Sequence, residues 1–228
     1  MSLVHPNSLS ATLDAVNEEL FLGRTIPRKE REEVALWIAG RQGQPGAYAD
    51  MFAPTAEEMR TSIRLFTGEQ AASSSAARHI LGEETCRALI LLKVSQGEVR
   101  AALERASEGM AQRLTSSRDA AAGMYCCARC TVALWRHLAV GGLPAVEGEK
   151  WLAAGMRTLK AHRDDDGRWR RFPFFWTLLG LSEIAARAAQ AELRYAAGAC
   201  ERYLTRARAS DRFAGRRRTL AERVLAGL

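Results

Sequence analysis

The 228-residue chain predicts an all-α protein built of α/α hairpins, arranged as a partial toroid or solenoid with inner and outer helices. Three observations carry this. Alternation with a period of two is missing throughout, whereas apolar residues recur at helical spacing in almost every window. Segments with one apolar face precede segments that are apolar all round. Short Gly, Pro or Ser loops separate them, as expected of outer helices wrapped around inner ones rather than of a simple bundle.

The elements follow in order. Leu13, Val16 and Leu20 open the series and Gly23 ends it. Thr25, with Pro27 just inside, starts a second helix through Val34, Trp37 and Ile38. Thr55-x-x-Glu58 has the form of a capping box and predicts a helix through Met59, Ile63 and Phe66 to Gly68. Ser73 to Ser75 introduce a long apolar helix, or a pair broken at Gly82, that ends in Leu89-Ile-Leu-Leu92. Val99, Leu103, Ala106, Met110 and Leu114 form the single stripe of an amphipathic helix. The stretch from 119 to 140, with Met124, Tyr125, Cys126, Cys127, Cys130 and Trp135, is apolar on most sides and predicts an inner helix. A one-sided helix carries Leu152, Met156 and Leu159; a second inner helix runs from Pro173 to Ile184; two one-sided helices complete the chain. Residues 1–228 read as a single domain, with a subdivision near 95–97 and a flexible start over 1–9.

Composition narrows the classes. A chain of this length buries roughly 70–75% of its unfolded surface without disulfides or metals. No run of 18 apolar residues and no basic-then-apolar leader is present, so neither a membrane span nor a secretory signal is expected, and the cytoplasm is the expected location. The five cysteines, at 86, 126, 127, 130 and 200, all fall within predicted helices and read as reduced, buried thiols. That places Cys127-x-x-Cys130 in mid-helix, packed as small hydrophobes rather than as a metal or redox pair. His79, near Glu83 and Glu84, reads as a helix-surface ion pair at four-residue spacing in preference to an acid/base unit. The net charge is +7, with eight arginines from Arg202 onward: 202, 206, 208, 212, 216, 217, 218 and 223. Arg216, Arg217 and Arg218 are the residues that a nucleic-acid-binding solenoid would use, against the reading of a solvated helix face.

Two loops share a spacing: Gln42-x-x-x-Gly46-x-Tyr48 and Arg163-x-x-x-Gly167-x-Trp169, each leading from a one-sided helix to the next. This pattern resembles the Gln-x-x-x-Gly-x-Trp motif of the terpenoid cyclase and protein prenyltransferase superfamily, with Tyr48 and Arg163 as departures. The resemblance implies an α/α toroid scaffold, in which the Arg163 guanidinium stacks on Trp169. It does not carry the family's catalytic residues: Asp164, Asp165 and Asp166 complete neither Asp-x-Asp-Asp nor Asp-Asp-x-x-Asp, and no spacing nominates a zinc ligand set.

The functional expectation is a non-catalytic module that binds a hydrophobic small molecule or a protein, with no cofactor and no metal. Tyr125, Trp135, Phe172, Phe175 and Trp176 are the residues expected to line an apolar pocket, with Asp164 to Asp166 at its polar mouth. The alternatives are an enzyme on an isoprenoid-like substrate and the nucleic-acid-binding solenoid.

Overall fold

The computed structural model describes residues 2–60, 62–206 and 211–228; Arg208 lies outside the described residues. Among them the chain is all-helical: α1 (Leu9–Phe21), α2 (Arg28–Ala39), α3 (Ser74–Leu92), α4 (Gly97–Thr115), α5 (Ala128–Ala139), α6 (Gly148–Ala161), α7 (Phe174–Ser182), α8 (Arg187–Arg206) and α9 (Arg212–Ala226). Ser8, Ser73 and Asp211 start α1, α3 and α9, each side chain accepting a hydrogen bond from the backbone N–H three residues on. Pro27 is the residue before α2 rather than its first residue.

Three helices form the interior. α5 and α7 are buried over most of their length, as their all-round apolar sequences predict. α3 joins them, buried from Ala76 to Leu89 with the exception of Arg78. It packs along α5, while α1, α2 and α4 cover its other sides; α7, α8 and α9 pack together beyond α5. This layering is compatible with a toroid or solenoid of hairpins. No described helix is long and apolar enough to cross a membrane.

Two apolar cores result, one gathered around α1 to α4 and one around α6 to α9. α3 and α5 contribute to both: Ile80 and Trp135 face one, Leu89 and Leu134 the other. A largely buried ionic network ties α1, α3, α5 and the end of α7 together. Arg136 donates to Glu84 at 2.5 Å and to both oxygens of Glu183 at 2.8 and 3.0 Å; Arg87 reaches Glu183 at 3.1 and 2.7 Å and Asn17 at 2.9 Å. Charges this deep persist because each is paired and hydrogen-bonded.

Three predicted elements are corrected. The helix expected from Thr55 to Gly68 is a single 3-10 turn, Glu58–Arg60. The capping box does form, with Thr55 N–H donating to Glu58 Oε2 at 2.9 Å and Glu58 N–H to Thr55 Oγ1 at 3.3 Å. However, the same carboxylate also accepts from Leu9 N–H at 2.8 Å, Ser10 N–H at 2.6 Å and the Ser8 hydroxyl at 2.8 Å, so it caps α1 from 50 residues away. Gly82 does not break α3; it is the point where the Met51 side chain presses on the helix, and an added Cβ would meet it at 2.5 Å.

The inner helix predicted from 119 starts only at Ala128. A 3-10 turn spans Ala120–Ala122, and Gly123 and Cys126 both adopt left-handed backbone, with φ of 63° and 65°. Gly123 is required there because the α6 backbone lies against it: a Cβ would stand 2.1 Å from Gly155 N. Cys126 and Cys127 therefore lie outside any helix.

The two glycine loops close differently. Gln42 pairs with Phe52 across the first, whereas Arg163 pairs with Trp169 across the second. Arg163 does not stack on Trp169; its guanidinium lies 4.2 Å from the Tyr195 ring centre and donates to Glu192 at 3.0 and 2.9 Å. Trp169 Nε1 donates to the same carboxylate at 2.9 Å, so Glu192 of α8 fastens the loop.

Candidate functional site

The late start of α5 changes the chemistry of its cysteines. Cys127 is the residue that precedes the first turn, half-buried and reachable from solvent; Cys130, inside that turn, is fully buried. Their sulfurs are 3.4 Å apart. The nearby Cys130 thiol, together with the backbone N–H groups of Cys130 and Arg129 and the Arg129 charge, outweighs burial and lowers the Cys127 pKa to about 5. A thiolate at a helix N-terminus gains from the unpaired N–H groups and the dipole there. Cys130 is pushed the other way by the Cys127 sulfur and by burial, and its thiol faces the Ala76 carbonyl of α3 at 3.8 Å. One sulfur is poised as thiolate and its neighbour is held as thiol.

Behind the sulfurs stands a buried polar triad. Glu83 of α3 accepts from His79 Nε2 at 3.1 Å and from His137 Nδ1 of α5 at 2.6 Å. All three side chains are almost wholly enclosed. The expected helix-surface pair of His79 and Glu83 is thus an interior one, because α5 lies over that face of α3. Burial pushes the Glu83 carboxyl up, but the two imidazoles outweigh it and hold its pKa at about 2. Burial pushes His79 down, and the Cys126 sulfur and Glu83 outweigh that, lifting its pKa to about 9. The remaining ring nitrogens, His79 Nδ1 and His137 Nε2, are buried with no hydrogen-bond partner.

Two tyrosines complete the wall. Tyr48 stacks on the His79 ring with centres 4.7 Å apart, Tyr125 meets it edge-on at 5.0 Å, and their hydroxyls share a 2.6 Å hydrogen bond. A ligand nitrogen of His79 and the sulfurs of Cys126 and Cys130 lie within 4.8 Å of one another, the group of described residues with metal-ligand geometry.

Of the five aromatics expected to line a pocket, Tyr125 alone belongs to this site. Trp135 is fully buried, donates from Nε1 to the Gly123 carbonyl at 2.9 Å and stacks on Phe172. Trp176 donates to the Arg129 carbonyl at 3.0 Å beneath the Arg136 guanidinium and lines a cavity of about 30 Å³, room for one water. Phe175 packs edge-on against Tyr203. A roomier groove, about 660 Å³, is lined by residues of α4 and the 141–145 loop and by none of these five.

Asp164 to Asp166 form a turn rather than a mouth. The Asp164 side chain accepts from the N–H groups of Asp166 and Arg168, both at 2.9 Å, while Asp165 and Asp166 are exposed. Arg216 is not a solvated nucleic-acid contact. It is buried against α1, bonded to Asp14 at 2.7 and 2.9 Å and to the Phe66 carbonyl at 3.1 Å, with Glu18 as a further partner. Arg217 donates to the Thr67 carbonyl at 2.6 Å, and Arg218 lies 3.8 Å from Glu222.

His137 was not singled out in the sequence, Glu83 was read only as the surface partner of His79, and Tyr48 only as a loop residue. No spacing links positions 48, 83 and 137; the signals that do exist are the four-residue step from His79 to Glu83 and the glycine just before Cys126-Cys127-x-x-Cys130. No protein-family model, curated protein or solved structure matches the chain.

Proposed function

We propose that the chain is a thiol–disulfide exchange protein in which Cys127 is the attacking sulfur and Cys130 the resolving one. The observation that carries this is the 3.4 Å approach of an accessible and a buried sulfur across the first turn of α5. A disulfide needs an S–S length of about 2.05 Å, so closure takes roughly 1.3 Å of movement.

The steps balance as follows. The Cys127 thiolate attacks one sulfur of a substrate disulfide and expels the other as a thiolate, which takes up a proton. Cys130, losing its proton, then attacks the Cys127 sulfur of the mixed disulfide and releases the first substrate sulfur as a thiol. The substrate disulfide gains two electrons and two protons, and Cys127–Cys130 becomes the disulfide. His79, with a ring nitrogen within 4.8 Å of the Cys130 sulfur, is the titratable side chain of the triad next to it. The depressed Cys127 pKa supports the assignment of the attacking role.

The test is oxidation of the reduced chain with glutathione disulfide, followed by peptide mapping. The expected product is an intramolecular Cys127–Cys130 bond. Cys130→Ser should accumulate a glutathione adduct on Cys127, and Cys127→Ser should form neither product. Wild-type chain that keeps both thiols free under these conditions would remove the proposal.

A further inference from the structure

We infer that the reduced chain binds one zinc ion through His79 Nδ1, Cys126 Sγ and Cys130 Sγ. One observation outside the disulfide chemistry, taken with two properties of zinc, supports this. The ligand atoms come from two separate chain regions yet lie within 4.8 Å of one another. Tetrahedral zinc with bonds of about 2.0–2.3 Å places its ligands ~3.3–3.8 Å apart, so the cluster needs to tighten by about 1 Å. Thiolate and imidazole are the donors that zinc favours over the hard cations.

The imidazole is already oriented for the task. Glu83 accepts a hydrogen bond from His79 Nε2–H, and Tyr48 and Tyr125 hold the ring between them. That leaves Nδ1 enclosed and without a hydrogen-bond partner, on a residue that is 1% exposed. A carboxylate behind a ligating histidine fixes its tautomer and strengthens it as a donor. Cys126, the remaining ligand, sits at φ 65°, a conformation that is unfavourable for a residue with a Cβ. Its exposed position leaves the fourth coordination site open to water or a ligand.

Cys130 is shared with the disulfide proposed above, whereas Cys126 and Cys127 are not. Oxidation of the Cys127–Cys130 pair therefore removes one of the three ligands and releases the metal. The two proposals fail separately because each has its own sulfur.

The test uses the full, reduced, chelator-treated chain titrated with cobalt(II), then with zinc. The expected result is one equivalent of cobalt, visible d–d bands, a thiolate charge-transfer band, and loss of all of these when zinc is added. Cys126→Gly relieves the backbone strain while deleting the ligand; it and Cys126→Ser should each weaken binding about 100-fold or more, beyond the ~10–100-fold expected of Glu83→Gln. Cys127→Ser should bind cobalt as wild type does while losing disulfide formation. Absence of the charge-transfer band in wild type overturns the inference. So does binding that survives both Cys126 variants, or binding that Cys127→Ser abolishes.

Discussion

Glu58 offers the sharpest test of how the fold is held. Its Oε2 accepts from Leu9 N–H and Thr55 N–H, and its Oε1 from Ser10 N–H and the Ser8 hydroxyl, at 2.6–2.9 Å. Glu58→Gln keeps one oxygen and turns the other into a donor. The least costly orientation puts the amide NH₂ in the Oε1 place, since the Ser8 hydroxyl can rotate and accept. Ser10 N–H is then left facing a donor, which costs about 1–3 kcal/mol, and the two surviving bonds lose the charge that strengthened them, about 0.5–1 kcal/mol each. The total is about 3 kcal/mol, or a fall in Tm of about 6–12 °C for a chain of this size. Burial works against the Glu58 carboxylate, but the hydrogen bonds of Ser10, Thr55 and Ser8 hold its pKa below 4.5. A depressed carboxylate stabilises the fold above its unfolded pKa and loses that contribution as pH falls through the folded value. Urea unfolding followed by far-UV circular dichroism should therefore show the full gap between wild type and Glu58→Gln at pH 7, narrowing below pH 4.5. A gap under about 0.5 kcal/mol at pH 7, or one that stays constant into acid, would refute the account of a carboxylate capping two segments.

Other expectations follow from single contacts. Gly155→Ala places a Cβ 2.6 Å from the Trp135 ring and should cost about 1–3 kcal/mol, read as a lower urea midpoint at unchanged m-value. Arg216→Ala removes the buried partner of Asp14, which keeps Arg212 at 3.1 Å, and the donor to the Phe66 carbonyl at the junction of α9 with α1; a loss of about 1.5–3 kcal/mol is expected by thermal denaturation. Glu83→Leu leaves His79 and His137 without their shared acceptor in the interior and should destabilise by about 3–5 kcal/mol, measured in the same assay. Cys127→Ser, replacing a half-buried thiol, should change stability by less than about 1 kcal/mol while abolishing the disulfide.

Helix class and helix faces were legible where one influence dominated. Val99, Ala106, Met110 and Leu114 are buried along one side of α4, and the all-round apolar run after Pro173 is an inner helix. α3 was read as a long apolar helix but not as an inner one, and its His79 ion pair was placed on the surface, whereas His79, Glu83, Glu84 and Arg87 are all buried. Their partners are 50 to 100 positions away in the chain, and only the assembled fold brings them within reach. Thr55 and Glu58 show the opposite error: the local signal was right, but the carboxylate serves a helix far away in sequence and the predicted one does not form. Met124 to Cys127 look helical by hydrophobicity; the close approach of α6 at Gly123 overrides that and turns a mid-helix motif into a helix start. The site therefore depended on a boundary shift of nine residues, from 119 to 128.

The sulfurs sit on the tip of the rod that is most tightly gripped along its length, with Cys130, Val132, Ala133, Leu134 and Trp135 all sealed from water. Dense packing leaves such a rod almost no freedom to slide or turn. The approach needed to join the two sulfurs must then come from the bent segment before Ala128. Because the Gly123 carbonyl receives the Trp135 indole N–H, that displacement pulls directly on a ring at the centre of the molecule, coupling bond formation at the surface to the interior.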